Sequence, residues 1–272
     1  MIKRILLPVY GHEEHRPAFD HALWLAEQFD AELLVAGIVD ESRFMKTMAG
    51  PTEGMLAYRD RDALNASTQR VLREVDALVE QAIAQRRSAA GAPSTCSFPD
   101  GLTELTRQCD ILVESRLHRN PALSRKLLDR CDLYSDASCP ILVSRGAPFE
   151  TDPILLIYTA SEAANRALTW VTELAEHIEL RVHALVLHDD EAVCGRLRQE
   201  VVGRATAHGL EWETPEVAAA EGFRRAVRAA DTLAPAFIAL PTHAFKHPLR
   251  LRLQGIDDKA LEQLACSVLA FP

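Results

Sequence analysis

An internal repeat is the sequence feature that most constrains the fold. A short apolar run, at residues 5–10 and again at 154–158, is followed by a helical pattern and then by a second apolar run, at 33–39 and 182–187. Such runs are typical of buried parallel strands. The order strand, helix, strand therefore occurs twice in one chain.

The later parts of the two halves match without a gap. Ile111 precedes Cys139 by the same spacing with which Ile238 precedes Cys266, and the two cysteines lie 127 positions apart. One long amphipathic helix is predicted in the middle of each half. Strands that alternate with helices require right-handed crossovers, so the pattern predicts an α/β fold whose parallel sheet is covered by helices on both faces.

Each half ends in a further apolar strand, at residues 141–143 and 268–271. The repeat restarts after the first of these strands, near Gly146-Ala147-Pro148. The sequence therefore predicts two tandem domains, at residues 1–147 and 148–272.

Residues 41–63 have no counterpart in the second half. The segment contains Gly50, Pro51 and Gly54 and shows no clear helix or strand period. We interpret it as a long loop, and we expect it to form a mobile flap over the first half only. Its apolar side chains are suited to varied contacts. They are Met45, Met48, Met55, Leu56 and Tyr58.

Composition excludes several classes of function. The chain has 272 residues with 30 Lys and Arg against 39 Asp and Glu, and this net charge of −9 argues against broad nucleic-acid binding. Neither a dinucleotide fingerprint nor a Walker loop occurs. No apolar run approaches the ~20 residues of a membrane span, and no C-x-x-C pair or leader-like segment is present. We expect a reduced, cytoplasmic protein without membrane insertion.

At this point the chain resembles the universal stress protein family, in its tandem, UspE-type branch. The resemblance rests on the opening Ile-Leu-Leu-Pro strand, the turn at Tyr10-Gly11-His12 and the closing strand Cys139-Pro140-Ile141-Leu142-Val143. It implies an adenine nucleotide alpha hydrolase-like domain in each half, with a five-stranded parallel sheet and a functional crevice at the carboxyl ends of the strands. It also implies that the two closing strands pair in an intramolecular pseudo-dimer, and it leaves homodimers open.

Nucleotide-binding members of that family use an acidic residue after the first strand and a G-x2-G-x9-G-[ST] loop around the phosphates. Glycine permits close backbone approach. Here the acidic position is Tyr10 in the first half and Thr159 in the second. The three glycine positions fall on Glu114, Leu117 and Leu127, and on Pro241, Ala244 and Gln254. Gly255 falls in the hydroxyl position, and a slip of one residue would put it in the third glycine position.

These departures predict a tandem stress-response protein that acts by binding a ligand or a protein partner and not as an enzyme. We expect ATP to bind poorly or not at all, and we expect no cofactor. The alternative is an ATP- or AMP-binding regulator with a non-standard anion site made by side chains such as Arg116 and Arg119. Solvated surface charge is the competing interpretation of these arginines. The predicted crevice residues are Tyr10, Gly11, Glu114, Arg116, Arg119, Thr159, Ser161, Thr242 and Gly255.

Three other patterns favour structural roles over chemistry. Histidines at helical spacing occur twice without a third ligand nearby, so we expect surface or capping residues and no metal site. Cys139 and Cys266 precede the closing strands, where a buried small side chain is more usual than a redox sensor. Ser115 with His118, and Thr242 with His243, lack the elbow motif of serine hydrolases. The histidine pairs are His12 with His15, and His243 with His247.

Overall fold

The structure, a computed structural model, describes most of the chain. The described residues are 2–11, 15–39, 45–48, 55–58, 61–85, 87–92, 95–97, 100–115, 136–146, 153–188, 190–214, 223–242, 264 and 266–272.

Strands and helices alternate along both halves, as the repeat predicts. The strands of the first half are β1 (Arg4–Val9), β2 (Glu32–Val39), β3 (Met45–Met48), β4 (Met55–Tyr58), β5 (Ala89–Gly91), β6 (Cys96–Ser97), β7 (Ile111–Ser115) and β8 (Ile141–Ser144). Those of the second half are β9 (Ile154–Tyr158), β10 (Val182–Val186), β11 (Phe237–Pro241) and β12 (Ser267–Phe271). The helices are α1 (Arg16–Phe29), α2 (Arg61–Ala84), α3 (Asp100–Thr106), α4 (Glu162–Ile178), α5 (Glu191–Ala207) and α6 (Phe223–Leu233).

One sheet runs through both halves, in the order β10-β9-β11-β12-β8-β7-β1-β2-β5, and β6 also pairs with β2. Its neighbouring strands are parallel except at the centre, where β8 and β12 pair antiparallel with Leu142 opposite Leu269. The predicted pairing of the two closing strands is therefore confirmed. Since each closing strand covers the edge of the other, neither half leaves that edge open.

The two halves differ at their outer edges. The first half contributes five strands to the order above, β8-β7-β1-β2-β5, whereas the second contributes the four strands β12-β11-β9-β10. Within the described residues, the place of a fifth strand is taken by a single bridge between His183 and Glu213. The expected five-stranded sheet is thus complete in the first half, and in the second it comprises four strands and one bridge.

Helices cover both faces of the sheet. The apolar residues of α1, α2, α4 and α5 join one core cluster, and those of α3 and α6 join the cluster on the opposite face. The helical faces predicted from the sequence are the buried ones. Fully buried examples are Ala22, Leu25, Leu168, Val171, Val71 and Val201.

The interpretation of residues 41–63 as a loop without strand or helix is wrong in part. β3 and β4 form an antiparallel pair, with Met45 opposite Tyr58 and Met48 opposite Met55, and α2 already begins at Arg61. Strands of four residues are too short to show a reliable period, which explains the error. The rest of this segment lies outside the described residues, and its mobility stays a prediction.

Candidate functional site

The first crevice is the group of residues that follows β1 and ends β7, namely Tyr10, Gly11, Glu114 and Ser115. β1 and β7 are parallel neighbours, so their carboxyl ends lie at the same edge of the sheet. Gly11 has a φ of +76°, and a Cβ there would lie 2.6 Å from Cγ2 of Val71 on α2. Glycine is therefore required twice over, by the left-handed backbone and by the close approach of α2.

A buried carboxylate occupies the first crevice. Glu114 is only 2% exposed, and the hydroxyl of Tyr10 donates a hydrogen bond of 2.9 Å to its Oε1. The residue at the expected acidic position thus contacts the residue at the first expected glycine position. An acid is present in this crevice after all, but it is carried by β7 and not by the residue after β1.

Neighbouring groups hold the backbone of this acid in place. The Ser144 hydroxyl donates to the Glu114 carbonyl oxygen at 3.0 Å, and Glu114 is opposite Val143 in the pairing of β7 with β8. Ser115, the last residue of β7, is buried, and its hydroxyl has no hydrogen-bond partner within the described part of the chain. A buried hydroxyl without a partner is unfavourable, because it loses its hydrogen bonds to water.

The second crevice is the matching group after β9 and β11, namely Thr159, Ser161, Pro241 and Thr242. Ser161 caps α4, because its hydroxyl oxygen accepts a hydrogen bond of 3.1 Å from the Ala164 amide. The hydroxyls of Thr159 and Ser161 lie 3.2 Å apart. This crevice contains hydroxyl groups, and none of its four residues is charged.

Thr242 and Ser115 lie 127 positions apart, which is the offset that relates Cys266 to Cys139. Thr242 is 1% exposed and its amide donates to the Phe271 carbonyl oxygen at 2.8 Å. Like that of Ser115, its hydroxyl has no hydrogen-bond partner among the described residues. The two halves therefore place the same kind of unpartnered, buried oxygen at the same point of their crevices.

Several predicted site residues fall where the structure gives no description. Arg116, Arg119 and Gly255 lie outside the described residues, as do His12, His118, His243 and His247. His15 is described, and its Nε2 lies 3.6 Å from a Glu74 carboxylate oxygen. Among the described residues, no group of three or more His, Cys, Asp or Glu side chains is arranged to hold a metal ion.

The cysteines before the closing strands have the properties of core residues. Burial raises the pKa of Cys139 to about 12, with a smaller contribution from nearby Cys109, and burial raises the pKa of Cys266 to about 11. Thiolates are the reactive form of cysteine. At neutral pH these thiols are protonated, which favours the packing role over redox sensing.

The first half also matches a known family at the sequence level. Residues 1–96 match the Universal stress protein family. A comparison with curated protein sequences returns no match. This match covers the part of the chain from β1 to β5 with α1 and α2, and the structural comparisons concern the fold of the whole chain.

Solved universal stress proteins share the fold over both halves. One from Archaeoglobus fulgidus DSM 4304 is 13% identical with a TM-score of 0.74, and the alignment covers 98% of this chain and 95% of that one. A Pseudomonas aeruginosa UCBPP-PA14 protein described as a universal stress protein is 17% identical with a TM-score of 0.64, covering 99% and 93%. At these identities the likeness shows the fold alone.

The same fold is similar to a domain of a different protein class. The cytoplasmic domain of a prokaryotic cation chloride cotransporter aligns with a TM-score of 0.54 at 9% identity, covering 99% of this chain and 95% of that one. In the part of this chain that the structure describes, none of the helices has the length and apolar character needed to cross a bilayer.

The two crevice features that the sequence analysis missed differ in whether the sequence contains a signal for them. The Tyr10 hydroxyl and the Glu114 carboxylate are 104 residues apart, so their contact depends on the pairing of β1 with β7. The buried hydroxyls of Ser115 and Thr242 do leave a signal in the sequence, because hydroxyl residues recur there at the offset of the repeat.

Proposed function

We propose that this chain is a tandem universal stress protein that acts in stress response by binding a ligand or a protein partner, without binding ATP by a glycine loop and without turning over a substrate. The observation that carries the proposal is the buried Glu114 carboxylate, held by Tyr10 in the first crevice. We propose that the chain consists of two domains, at residues 1–147 and 148–272. On this proposal the protein acts in the cytoplasm, where the free thiols of the described cysteines stay reduced.

The carboxylate of Glu114 opposes phosphate binding. A phosphate charge about 4 Å from this carboxylate would be disfavoured by roughly 4 kcal/mol at an effective dielectric constant of 20. That energy corresponds to an affinity loss of several hundredfold or more. In the second crevice the equivalent residue is Pro241, which has no amide hydrogen to donate to a phosphate.

The buried hydroxyls support ligand binding over a purely structural role. Ser115 and Thr242 have no hydrogen-bond partner in the described structure, and an unsatisfied buried polar group costs about 1–3 kcal/mol. A ligand that forms a hydrogen bond with either hydroxyl would recover part of that cost. The occurrence of this feature in both halves favours a ligand in each crevice.

The alternative function, an ATP- or AMP-binding regulator, is favoured more by the second half than by the first. The second crevice lacks a carboxylate among Thr159, Ser161, Pro241 and Thr242, so electrostatic repulsion of phosphate is weaker there. Arg116 and Arg119 in the first half and Gly255 in the second stay proposed contacts of such a nucleotide.

A thermal-shift screen of nucleotides and small metabolites tests the proposal. A ligand at about 100 times its Kd adds roughly 2.7 kcal/mol to the free energy of unfolding. We expect a hit among polar metabolites whose shift is reduced in Ser115→Ala or Thr242→Val and retained in Thr169→Ala, a control on the exposed face of α4. Indifference of the whole panel, together with no retained protein in a pull-down, would contradict the proposal.

The same two variants separate ligand binding from a structural role. Without ligand, Thr242→Val should unfold at the same temperature as the native chain or a higher one, because it removes a buried hydroxyl that has no partner. A marked loss of stability in the ligand-free variant would indicate instead that this hydroxyl stabilises the fold.

A further inference from the structure

A cavity of about 520 Å³ lies at the junction of the two halves. The first half contributes Ile2 and Phe29 to its wall, and the C-terminal part of α4 contributes Trp170, Glu173, Glu176 and His177. Its volume is within the range of about 300–1,000 Å³ that is usual for small-molecule sites.

This cavity is separate from both crevices. Ile2 precedes β1, at the opposite end of that strand from Tyr10. His177 lies 16 residues after Ser161 along α4, which corresponds to about 24 Å at 1.5 Å per helical residue. A ligand in this cavity would therefore leave the crevice residues untouched.

The aromatic side chains of the cavity are held in fixed positions across the junction. The His177 ring stacks on Phe29 with the ring centroids 4.6 Å apart and an angle of 17° between the planes. Its Nε2 lies 2.7 Å from the Gln28 carbonyl oxygen, so this nitrogen carries the hydrogen and donates. The rings of Trp170 and Phe271 pack edge to face, with their centroids 6.0 Å apart and an angle of 70° between the planes. These contacts preorganise a wall of three rings.

The charged groups of the wall are carboxylates. Glu173 and Glu176 lie three positions apart on α4, and therefore on neighbouring turns of one helix face. Glu176 lies 3.3 Å from Nδ1 of His208, and neither lysine nor arginine occurs among the described residues that line the cavity. A cation near an aromatic face and a carboxylate is attracted by both.

We infer that this cavity binds a small organic cation with an apolar body, such as an amine or quaternary ammonium compound that carries an aromatic ring. The rings of Trp170 and Phe29 supply the apolar and cation–π contacts, and the stacked ring of His177 holds Phe29 in place. The carboxylates of Glu173 and Glu176 supply the charge complementarity. Since the wall comes from both halves, the bound cation stabilises their packing.

Titration with benzyltrimethylammonium, followed by tryptophan fluorescence and by melting temperature, tests the inference on the full chain. Benzyl alcohol is the neutral comparison. We expect saturable binding of the cation with a Kd below about 20 mM, and binding of benzyl alcohol at least about fivefold weaker. Saturation should also raise the melting temperature. Absence of saturation, or equal binding of the two compounds, would overturn the inference.

Matched variants assign the binding to the cavity. The double variant Glu173→Gln with Glu176→Gln should weaken cation binding at least about threefold and leave benzyl alcohol binding unchanged. The control, Glu162→Gln with Glu179→Gln, removes the same charge from the two ends of α4 outside the cavity and should change the cation Kd less than about twofold. An equal response of the two double variants would refute the assignment. Trp170→Leu should abolish the change in tryptophan fluorescence that the cation causes. If that variant does not fold, the comparison of the two double glutamine variants still tests whether the cation binds in the cavity.

Discussion

The two halves share a fold but offer opposite chemistry in their crevices. The first crevice holds a buried carboxylate, Glu114, bonded to Tyr10, whereas the second holds the uncharged residues Thr159, Ser161, Pro241 and Thr242. Glu114 of the first half and Pro241 of the second, which are equivalent by the offset of the repeat, are also different kinds of residue. The two halves therefore have the same order of strands and helices although their crevice residues differ in charge.

The turn after the first strand of each half offers the strongest test of this comparison. Gly11 and Ala160 occupy matching positions in it and both have positive φ, at +76° and +57°. Gly11→Ala should lower the free energy of unfolding by about 2–3 kcal/mol, because the new Cβ collides with Val71 and the backbone is strained. Ala160→Gly should raise it by up to about 1 kcal/mol. Urea denaturation measures both. A Gly11→Ala variant as stable as the native chain, or one whose loss is no larger than the gain from Ala160→Gly, would contradict the predicted difference between the two turns.

The hydrogen bond to the buried carboxylate offers the second test. Tyr10→Phe removes the hydroxyl that donates to Glu114 and should lower the free energy of unfolding by about 1.5–3 kcal/mol, the usual range for a hydrogen bond to a charged group. The matched change Thr159→Val removes a hydroxyl that lies 3.2 Å from the uncharged Ser161 hydroxyl, and it should lower the free energy of unfolding by about 0.5–1.5 kcal/mol. If chemical denaturation gives the larger loss for Thr159→Val, the carboxylate does not depend on Tyr10.

The contact between α1 and the second half predicts a pH dependence. Burial lowers the pKa of His21 below its ordinary value of 6.5, and its Nε2 lies 3.5 Å from the Ser267 hydroxyl oxygen. Below pH 6.5 the unfolded chain binds a proton that the native chain does not, so stability should fall as the pH drops. The slope from this group is at most about 1.4 kcal/mol per pH unit. His21→Gln should flatten the stability profile below pH 6.5, and an unchanged profile would show that other groups cause it.

The segment at 41–63 gives the smallest expected effect. Part of it forms the pair of β3 with β4, whose antiparallel register runs from Met45 with Tyr58 to Met48 with Met55. A two-stranded ribbon is marginally stable by itself. We expect its amides to exchange with deuterium faster than those of β1 and β9, which are buried in the main sheet. Amide exchange as slow as in β1 and β9 would contradict the prediction that residues 41–63 form a mobile flap.

The sequence showed the repeat and predicted the order strand, helix, strand in each half, because runs of apolar residues such as 154–158 report burial directly. The pairing of the closing strands followed only from the resemblance to the universal stress protein family. The sequence did not predict β3 and β4, whose four residues are too few to show a period. The edge difference between the described parts of the two halves also escaped it, since Glu213, which bridges to His183 of β10, lies in no apolar run.

The crevices show the same limit. That Tyr10 and Glu114 depart from the binding pattern is visible in the sequence, yet their mutual hydrogen bond is a product of the sheet register. The cavity at the junction depends on how α1 packs against α4, and no local sequence pattern predicts that packing.

Calorimetric titration of the native chain and of Glu114→Gln with ATP and Mg²⁺ measures how strongly the buried carboxylate opposes phosphate binding. The native chain should bind ATP with a Kd well above the low micromolar range, because the buried Glu114 carboxylate repels phosphate and Pro241 has no amide hydrogen to donate. Glu114→Gln should bind at least about tenfold more tightly than the native chain, since it removes the repulsive charge and keeps the shape. The control Glu80→Gln, on the exposed face of α2, should behave like the native chain. A native Kd at or below the low micromolar range would contradict the account.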